Sequence, residues 1–468
     1  MAIESINPAT EEVEARFDEH TPDQVEAALQ AAAGAYRSWS RTSFDERGAL
    51  FHRAAAQLRE RKAHYAGLIT AEMGKPIVEA EAEVEKCAWN CEFYGEHAAG
   101  FLTDERIETS AKLSYVAFEP LGVVLAVMPW NFPFWQVFRA AAPAMMAGNT
   151  CVLKHASNVP RCALAVEEVF REAGFPGGAF RTLLVSARAV EPIIADARVR
   201  AVTLTGSDVA GRQVAAAAGH ALKKTVLELG GSDPFIVLDD ADLDTAAETA
   251  AKARFQNTGQ SCIASKRFLV QERVAGDFEE RFRAAVGRLR VGDPRERETQ
   301  VGPMARNDLR DALEQQLRAS VDQGARVLAG GTRLEGRGYF FAPTLLTEVS
   351  ATMPVMNEET FGPLAAVYRV RDDDEAVQVA NSSRFGLGSS VFTRDPERGQ
   401  RLARRIESGL VFINGMVASD PRLPFGGVKD SGYGRELSTY GIREFVNVKT
   451  VFLSDGGGTS VQVNKAVE

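Results

Sequence analysis

Over the first hundred residues, apolar positions recur at helical spacing. Beyond residue 110 they close up into short continuous runs. Thr21, followed by Pro22 and Gln24, has the form of a capping box with proline at the first helical position, and Ser43 with Glu46 repeats it. The pattern predicts a second helix ending near Met73, where Gly74 and Pro76 break it, and a third from about Ile77 to His97. The N-terminal hundred residues therefore read as helices.

The later runs are GVVLAV from Gly122, TCVLK from Thr150, RTLLV from Arg181 and AVTLT from Ala201. Between them lie helical stretches such as FWQVFRAAAPAMMAG and VPRCALAVEEVFREAG. Continuous apolar strands alternating with helices indicate an α/β class with parallel sheet. A second alternating series starts at PFIVL near Pro234 and continues past Phe412, so two α/β domains follow one another. LSYVAFEP and EFVNVKTVFL stand apart as isolated extended pieces, suited to a subunit interface or to ordinary sheet edges. The tail SDGGGTSVQVNKAVE is glycine-rich and polar and is expected to be mobile.

Length and charge narrow the classes. At 468 residues, two or three domains are expected. A formal net charge of −9 argues against a nucleic-acid partner, since like charges repel the phosphate backbone. No apolar run reaches the roughly 18 residues of a membrane span, and the N-terminus lacks the form of a secretory signal. The five cysteines, Cys87, Cys91, Cys151, Cys162 and Cys262, are odd in number and irregular in spacing. They fit a reducing cytoplasm better than a disulfide framework, and none makes a zinc-like motif.

Four places carry chemistry. Cys262, in FQNTGQSCIAS, is a loop cysteine before the β-type run KRFLV; it suits a nucleophile, although such a cysteine on its own reads more naturally as packing. All six histidines precede it, which weakens a cysteine-protease arrangement. Glu228, in LELGG, is a carboxylate in an apolar strand. Burial there would raise its pKa as a general base requires, and a solvated strand end is the equal alternative. Asn131, bracketed by prolines in MPWNFP, suits an oxyanion donor or simply a turn. Thr205-Gly206-Ser207 joins a strand to a helix and offers backbone N–H groups to a phosphate, or is a plain βα turn.

Taken together and in order, MPWNFP, KHAS, LTGS, LELGG, FQNTGQSC, EETFGP and PFGGVKDSGYGRE resemble the aldehyde dehydrogenase superfamily over essentially the whole chain. MPWNFPFWQ, VLKHASN, VLELGGSDPFIV and INGMVASDPRLPFGGVK are most similar to the bacterial succinate-semialdehyde dehydrogenases. The resemblance implies an aldehyde dehydrogenase-like fold: a Rossmann-type dinucleotide-binding domain over 1–101 and 121–230, an α/β catalytic domain over 231–430, and oligomerisation segments at 102–120 and 445–456. It also implies a cytoplasmic homodimer or homotetramer acting on a small aldehyde, with no nucleic-acid or membrane partner.

By the same resemblance, Cys262 is the nucleophile, Asn131 and the Cys262 N–H hold the oxyanion, and Glu228 activates water to hydrolyse a thioester. Glu436 matches a family glutamate near the proton path. Trp130, Asn131, Lys154, Ser157, Gly206, Ser207, Leu229, Glu359 and Phe361 match the cofactor contacts. Ser157 stands where NAD-preferring relatives often carry glutamate, which favours acceptance of NADP beside NAD. Arg139, eight residues beyond Asn131, and Ser419 match the grip on a distal carboxylate, so both Asn131 and Arg139 are expected to face one tunnel. A second arginine of some relatives, six residues before the nucleophile, is here Gln256, and Ala264 replaces a cysteine that some relatives oxidise. The expected reaction is NAD(P)-dependent oxidation of succinate semialdehyde, the alternative being another small or medium aliphatic or semialdehyde substrate. A catalytically silent member and a nucleotide-free cysteine hydrolase are the competing classes.

Overall fold

Both capping boxes form. Thr21 accepts from the Gln24 N–H at 3.3 Å while the Gln24 side chain accepts from Thr21 N–H at 2.8 Å, opening the helix Pro22–Trp39. Ser43 and Glu46 do the same for the helix Phe44–Glu60. The expected single helix up to Met73 is two: Arg61 leaves helical geometry at φ −102° and ψ 21°, and Lys62–Met73 follows. Gly74 ends it in the left-handed region at φ 76°, where a side chain would be strained. The third helix runs longer than expected, Ile77–Phe101. The computed structural model describes residues 2–454, so residues 455–468, including the end of the 445–456 segment and nearly all of the polar tail, lie outside the described residues.

One expectation fails at the start of the chain. Ala2–Asn7 and Glu12–Asp18 pair as an antiparallel hairpin, not a helix. Glu12–Asp18 does alternate, Val13, Ala15 and Phe17 against Glu12, Glu14, Arg16 and Asp18, and this period of two is the strand signal that the helical reading of the N-terminal hundred passed over.

Two large sheets follow. In the first, the strands lie in the order Gly432–Tyr433, Lys224–Glu228, Val199–Thr205, Val123–Met128, Thr150–His155, Phe180–Leu183. Five are parallel, and Gly432–Tyr433 joins antiparallel to Lys224–Glu228. Helices cover both faces. Trp135–Met146 and Pro160–Glu172 lie in one core with Phe51, Tyr65 and Tyr94. The other face buries Leu29 of the first helix and Val214 and Ala218 of the helix Asp208–His220. The chain reverses direction across this sheet between Val123–Met128 and Val199–Thr205, which are neighbours. Such a reversal leaves a crevice outside the carboxyl ends of the two strands, the usual ligand position in open α/β sheets.

The second sheet has seven strands in the order Arg326–Ala329, Thr344–Thr347, Leu364–Val370, Ser265–Gln271, Asp233–Val237, Gly388–Phe392, Leu410–Ile413. All neighbours are parallel except the first pair, and apolar clusters on both faces enclose the sheet. A third, small antiparallel sheet joins Val446–Leu453 to Leu113–Pro120 along eight paired residues, with Glu105–Arg106 beyond. Among the described residues no helix is long and apolar enough to cross a membrane.

Candidate active site

Two cavities meet at Cys262. One, of about 160 Å³, is lined by Lys86, Trp135, Gln136, Arg139, Cys262 and Ser419 among others. The second is lined by Trp130, Asn131, Gly206, Ser207, Leu229, Glu359 and Phe361, and again by Gln136 and Cys262. It occupies the crevice at the reversal point, because Trp130-Asn131 follows the strand Val123–Met128 and Gly206-Ser207 follows Val199–Thr205.

The loop before Cys262 is held by side chains on every side. Asn257 and Thr258 both sit at φ 55°, an uncommon conformation for such residues that the surroundings must impose. Glu79 accepts from the Asn257 N–H at 2.7 Å, and the Asn257 amide donates to the Asn131 and Gln260 carbonyls at 2.9 and 3.0 Å. The buried Lys266 ammonium donates to the Ser261 and Cys262 carbonyls at 2.8 and 2.6 Å and lies 3.6 Å from the Glu359 carboxylate. One lysine thus ties the nucleophile loop to a carboxylate of the second cavity. Burial pushes the Cys262 thiol up to about 12, against the opposing pull of Arg139 and Lys266.

Asn131 is buried and donates to the Gln260 carbonyl at 3.1 Å, which aims its amide and leaves a second N–H uncommitted. The LELGG glycines are required by contact. A Cβ on Gly230 would come within 2.5 Å of a Glu359 oxygen, and one on Gly231 within 2.6 Å of the Cys262 carbonyl oxygen. The Gly231 N–H also donates to Glu359 at 2.9 Å. Glu228 ends its strand fully enclosed, with neither carboxylate oxygen hydrogen-bonded. Burial, with Glu436 adding repulsion, holds its carboxyl well above the usual carboxylate range. It lines neither cavity directly, but its neighbours Leu229 and Gly230 line the second. Gly432–Tyr433 pairs with this strand, and the Ser431 hydroxyl donates to the Gly230 carbonyl at 2.7 Å, so the PFGGVKDSGYGRE block is a brace for LELGG.

Arg139 departs from its expected presentation. Its guanidinium is enclosed and ion-paired with Glu436, donates to Thr205 at 3.2 Å, and lies 4.5 Å from the centre of the Phe425 ring. It is neither a solvated helix arginine nor a free fork. It lines the first cavity while Asn131 lines the second, so the two do not share one tunnel. Their eight-residue offset spans a helix start, not two turns of one helix, since the helix begins only at Trp135. Lys154 is half-buried at the end of the strand Thr150–His155 and Ser157 is exposed just beyond; neither lines the second cavity itself. Ser207 caps its own helix by accepting from the Ala210 N–H at 3.3 Å, which leaves its O–H free to donate.

Sequence reasoning missed Glu79, Lys86, Gln136 and Lys266. A signal for two of them existed: Glu79, Ala82, Glu83 and Lys86 repeat at helical spacing and line the first cavity together.

Comparison with known proteins identifies the family. The family model described as "Aldehyde dehydrogenase family" matches residues 1–451. The chain is 52% identical over 454 residues to a probable succinate-semialdehyde dehydrogenase [NADP(+)] of Synechocystis sp., covering 97% of this chain and all of that one. It is 50% identical over 458 residues to succinate-semialdehyde dehydrogenase [NADP(+)] 1 of Mycobacterium tuberculosis, with the same coverage of 97% and 100%. The structure superposes on the succinic semialdehyde dehydrogenase of Streptococcus pyogenes, solved with NADP+, with a TM-score of 0.95 at 39% identity, covering 97% of this chain and 100% of that one. With the motif blocks, the fold and the paired cavities in agreement, the chain belongs to the aldehyde dehydrogenase family.

Proposed function

We propose that the protein oxidises succinate semialdehyde to succinate with NADP, through a thioester on Cys262. The observation that carries this reading is that Cys262 lies at the junction of two cavities, one fit for a dinucleotide and one lined by cationic side chains. The similarity to relatives named for that substrate and cofactor supports it.

The second cavity suits a dinucleotide on its own chemistry. Trp130, Leu229 and Phe361 offer apolar faces for a planar ring, and Glu359, held by Gly231 and Lys266, offers an acceptor for ribose hydroxyls. Gly206 and Ser207 place a helix N-terminus beside it for the pyrophosphate. Lys154 and Ser157, at the end of the neighbouring strand, would take the adenosine end; a lysine and a serine tolerate a 2′-phosphate that a glutamate would repel. When bound, the dinucleotide supplies the hydride acceptor that turns a hemithioacetal into a thioester.

The chain's own residues do the rest. The Cys262 thiol gives up its proton to solvent water in the cavity, its thiolate attacks the aldehyde carbon, and the carbonyl oxygen becomes an alkoxide held by the second Asn131 N–H and the Cys262 N–H. Such donors are each worth about 3 kcal/mol in the transition state. After hydride loss the thioester carbon is attacked by water. Glu228, with no hydrogen bond on either oxygen, takes the water's proton, and the C–S bond breaks to release the acid and free Cys262. Glu436, paired with Arg139 and accepting from Thr203 at 3.4 Å, is the onward stop for that proton.

In this reading the first sheet with its helices, residues 1–101 and 121–230, is the dinucleotide-binding domain and the second sheet, within 231–430, the catalytic one. The segments 102–120 and 445–456, whose described residues include the small sheet, join subunits of a homodimer or homotetramer in the cytoplasm. Exposed Leu113, Val448, Phe452 and Leu453 along that sheet support the interface, and five free cysteines suit a reducing compartment. The test is kcat/KM for a panel of aldehydes with NADP and with NAD, read at 340 nm. Succinate semialdehyde with NADP is expected to rank first, and Cys262→Ala to abolish dinucleotide reduction. Reduction undiminished in Cys262→Ala would overturn the chemistry; a flat panel would overturn the substrate.

A further inference from the structure

The stripe of the helix Ile77–Phe101 that faces the first cavity carries Glu79, Glu83 and Lys86. Both carboxylates are already engaged. Glu79 accepts from the Asn257 N–H, while Glu83 is ion-paired with Lys75 and accepts from the Phe134 and Trp135 N–H groups at 2.9 and 3.0 Å. Lys86 differs. Its ammonium donates to the Ser419 hydroxyl at 2.7 Å and sits 4.4 Å from the centre of the Trp135 ring. Among the described residues no carboxylate pairs with it, whereas Arg139, the other cation of this cavity, is neutralised by Glu436.

We infer that Lys86 supplies the charge that recognises the distal carboxylate of the aldehyde substrate, beside Ser419, which the family resemblance already places at that grip. This rests on the substrate reading above and names the group that enforces it. An ammonium has three N–H donors. One goes to Ser419 and the Trp135 face stabilises the cation, which leaves a donor for an incoming anion. Because the Ser419 oxygen accepts from Lys86, its own O–H is free to donate to the same carboxylate. Two donors then converge in the cavity whose wall also holds Cys262. Gln256, which also lines this cavity, adds a neutral amide and no charge, so Lys86 supplies the positive charge left unpaired there.

Burial, with Arg139 acting in the same direction, brings Lys86 down to about 8, while Cys87, Asp420 and Glu83 oppose the shift. Only the protonated ammonium attracts the carboxylate. Recognition is therefore present below that value and is lost as pH rises through it.

The experiment compares kcat/KM for succinate semialdehyde and for butanal, an uncharged aldehyde of equal chain length, in the wild type, Lys86→Met, Lys86→Gln and Lys86→Arg. The expected result is a preference for succinate semialdehyde in the wild type. In Lys86→Met and Lys86→Gln that preference falls by about ten- to a hundredfold, as loss of a charge-assisted bond predicts, with the loss in KM. Lys86→Arg restores most of it. The wild-type preference declines above pH 8, whereas that of Lys86→Arg does not. A merely structural lysine would lower both aldehydes together, so an unchanged ratio in both neutral variants overturns the assignment. A wild type that prefers butanal overturns the substrate reading, and this assignment with it.

Discussion

At the scale of single residues, the site sets two ionisable groups against their ordinary behaviour, and both shifts come from burial. A carboxyl held well above its usual range keeps its proton to higher pH than a free carboxyl does, and only its carboxylate can accept one from water. Turnover limited by thioester hydrolysis is thus expected to rise with pH as Glu228 ionises, with its inflection above the ordinary carboxylate range. Glu228→Gln is expected to keep a first burst of reduced dinucleotide of about one per site, since attack and hydride loss do not need the base. Its steady-state rate should fall by about 10²–10⁴ and lose the pH rise. Stopped-flow absorbance at 340 nm checks this; full steady-state turnover in the variant would refute the role. The sequence singled out Cys262, Glu228 and Asn131 because each lies in a short motif with glycine or proline nearby, where proline fixes the backbone or glycine permits a close approach. Lys86 was not legible, because a lysine on a long helix ordinarily points to solvent, and only the partner loop carrying Ser419 makes it a cavity wall.

At the scale of elements, the close approach of LELGG to the nucleophile loop is the controlling contact. A methyl group on Gly231 would meet the Cys262 carbonyl oxygen at 2.6 Å and Asp233 at 3.0 Å, and a backbone oxygen that Lys266 also holds cannot swing aside. Gly231→Ala is expected to cost about 1–3 kcal/mol of stability, as overpacking does, and to lower kcat by displacing the sulfur. Gly276→Ala is the control: exposed within the helix Glu272–Gly287 and with nothing within 4 Å of an added Cβ, it should stabilise by up to about 1 kcal/mol. Urea unfolding and kcat for the two variants decide the matter, and equal behaviour would remove the contact argument. The helices and parallel strands here followed from caps and apolar runs. The N-terminal hairpin did not, because the period-two alternation of its second strand spans only seven residues ahead of two strongly capped helices, and the strand is held by pairing with Ala2–Asn7.

At the scale of the molecule, Val446–Leu453 is an edge strand paired on one side by Leu113–Pro120, with Val448 60% and Phe452 51% exposed on its face. An edge with large exposed apolar groups is a surface made to be covered. Val448→Lys with Phe452→Lys is expected to reduce the assembly to smaller species by light scattering, with the far-UV circular dichroism retained. An unchanged mass would remove the interface from this strand.

Local chemistry along the chain was enough to settle the α/β class, the order of the two sheets, the helix starts at Thr21 and Ser43, and the family to which the motif blocks belong, because caps, apolar runs and glycine-bounded turns act over a few residues. Tertiary structure alone decided which charges stay free. Arg139 and Lys86 are both cations in the sequence, yet Glu436, almost 300 residues from the first, neutralises one, while Ser419, more than 300 from the second, leaves the other its charge. A charge in a cavity acts on a ligand only to the extent that its neighbours leave it unpaired, and those neighbours, distant in sequence, are brought together only by the tertiary fold.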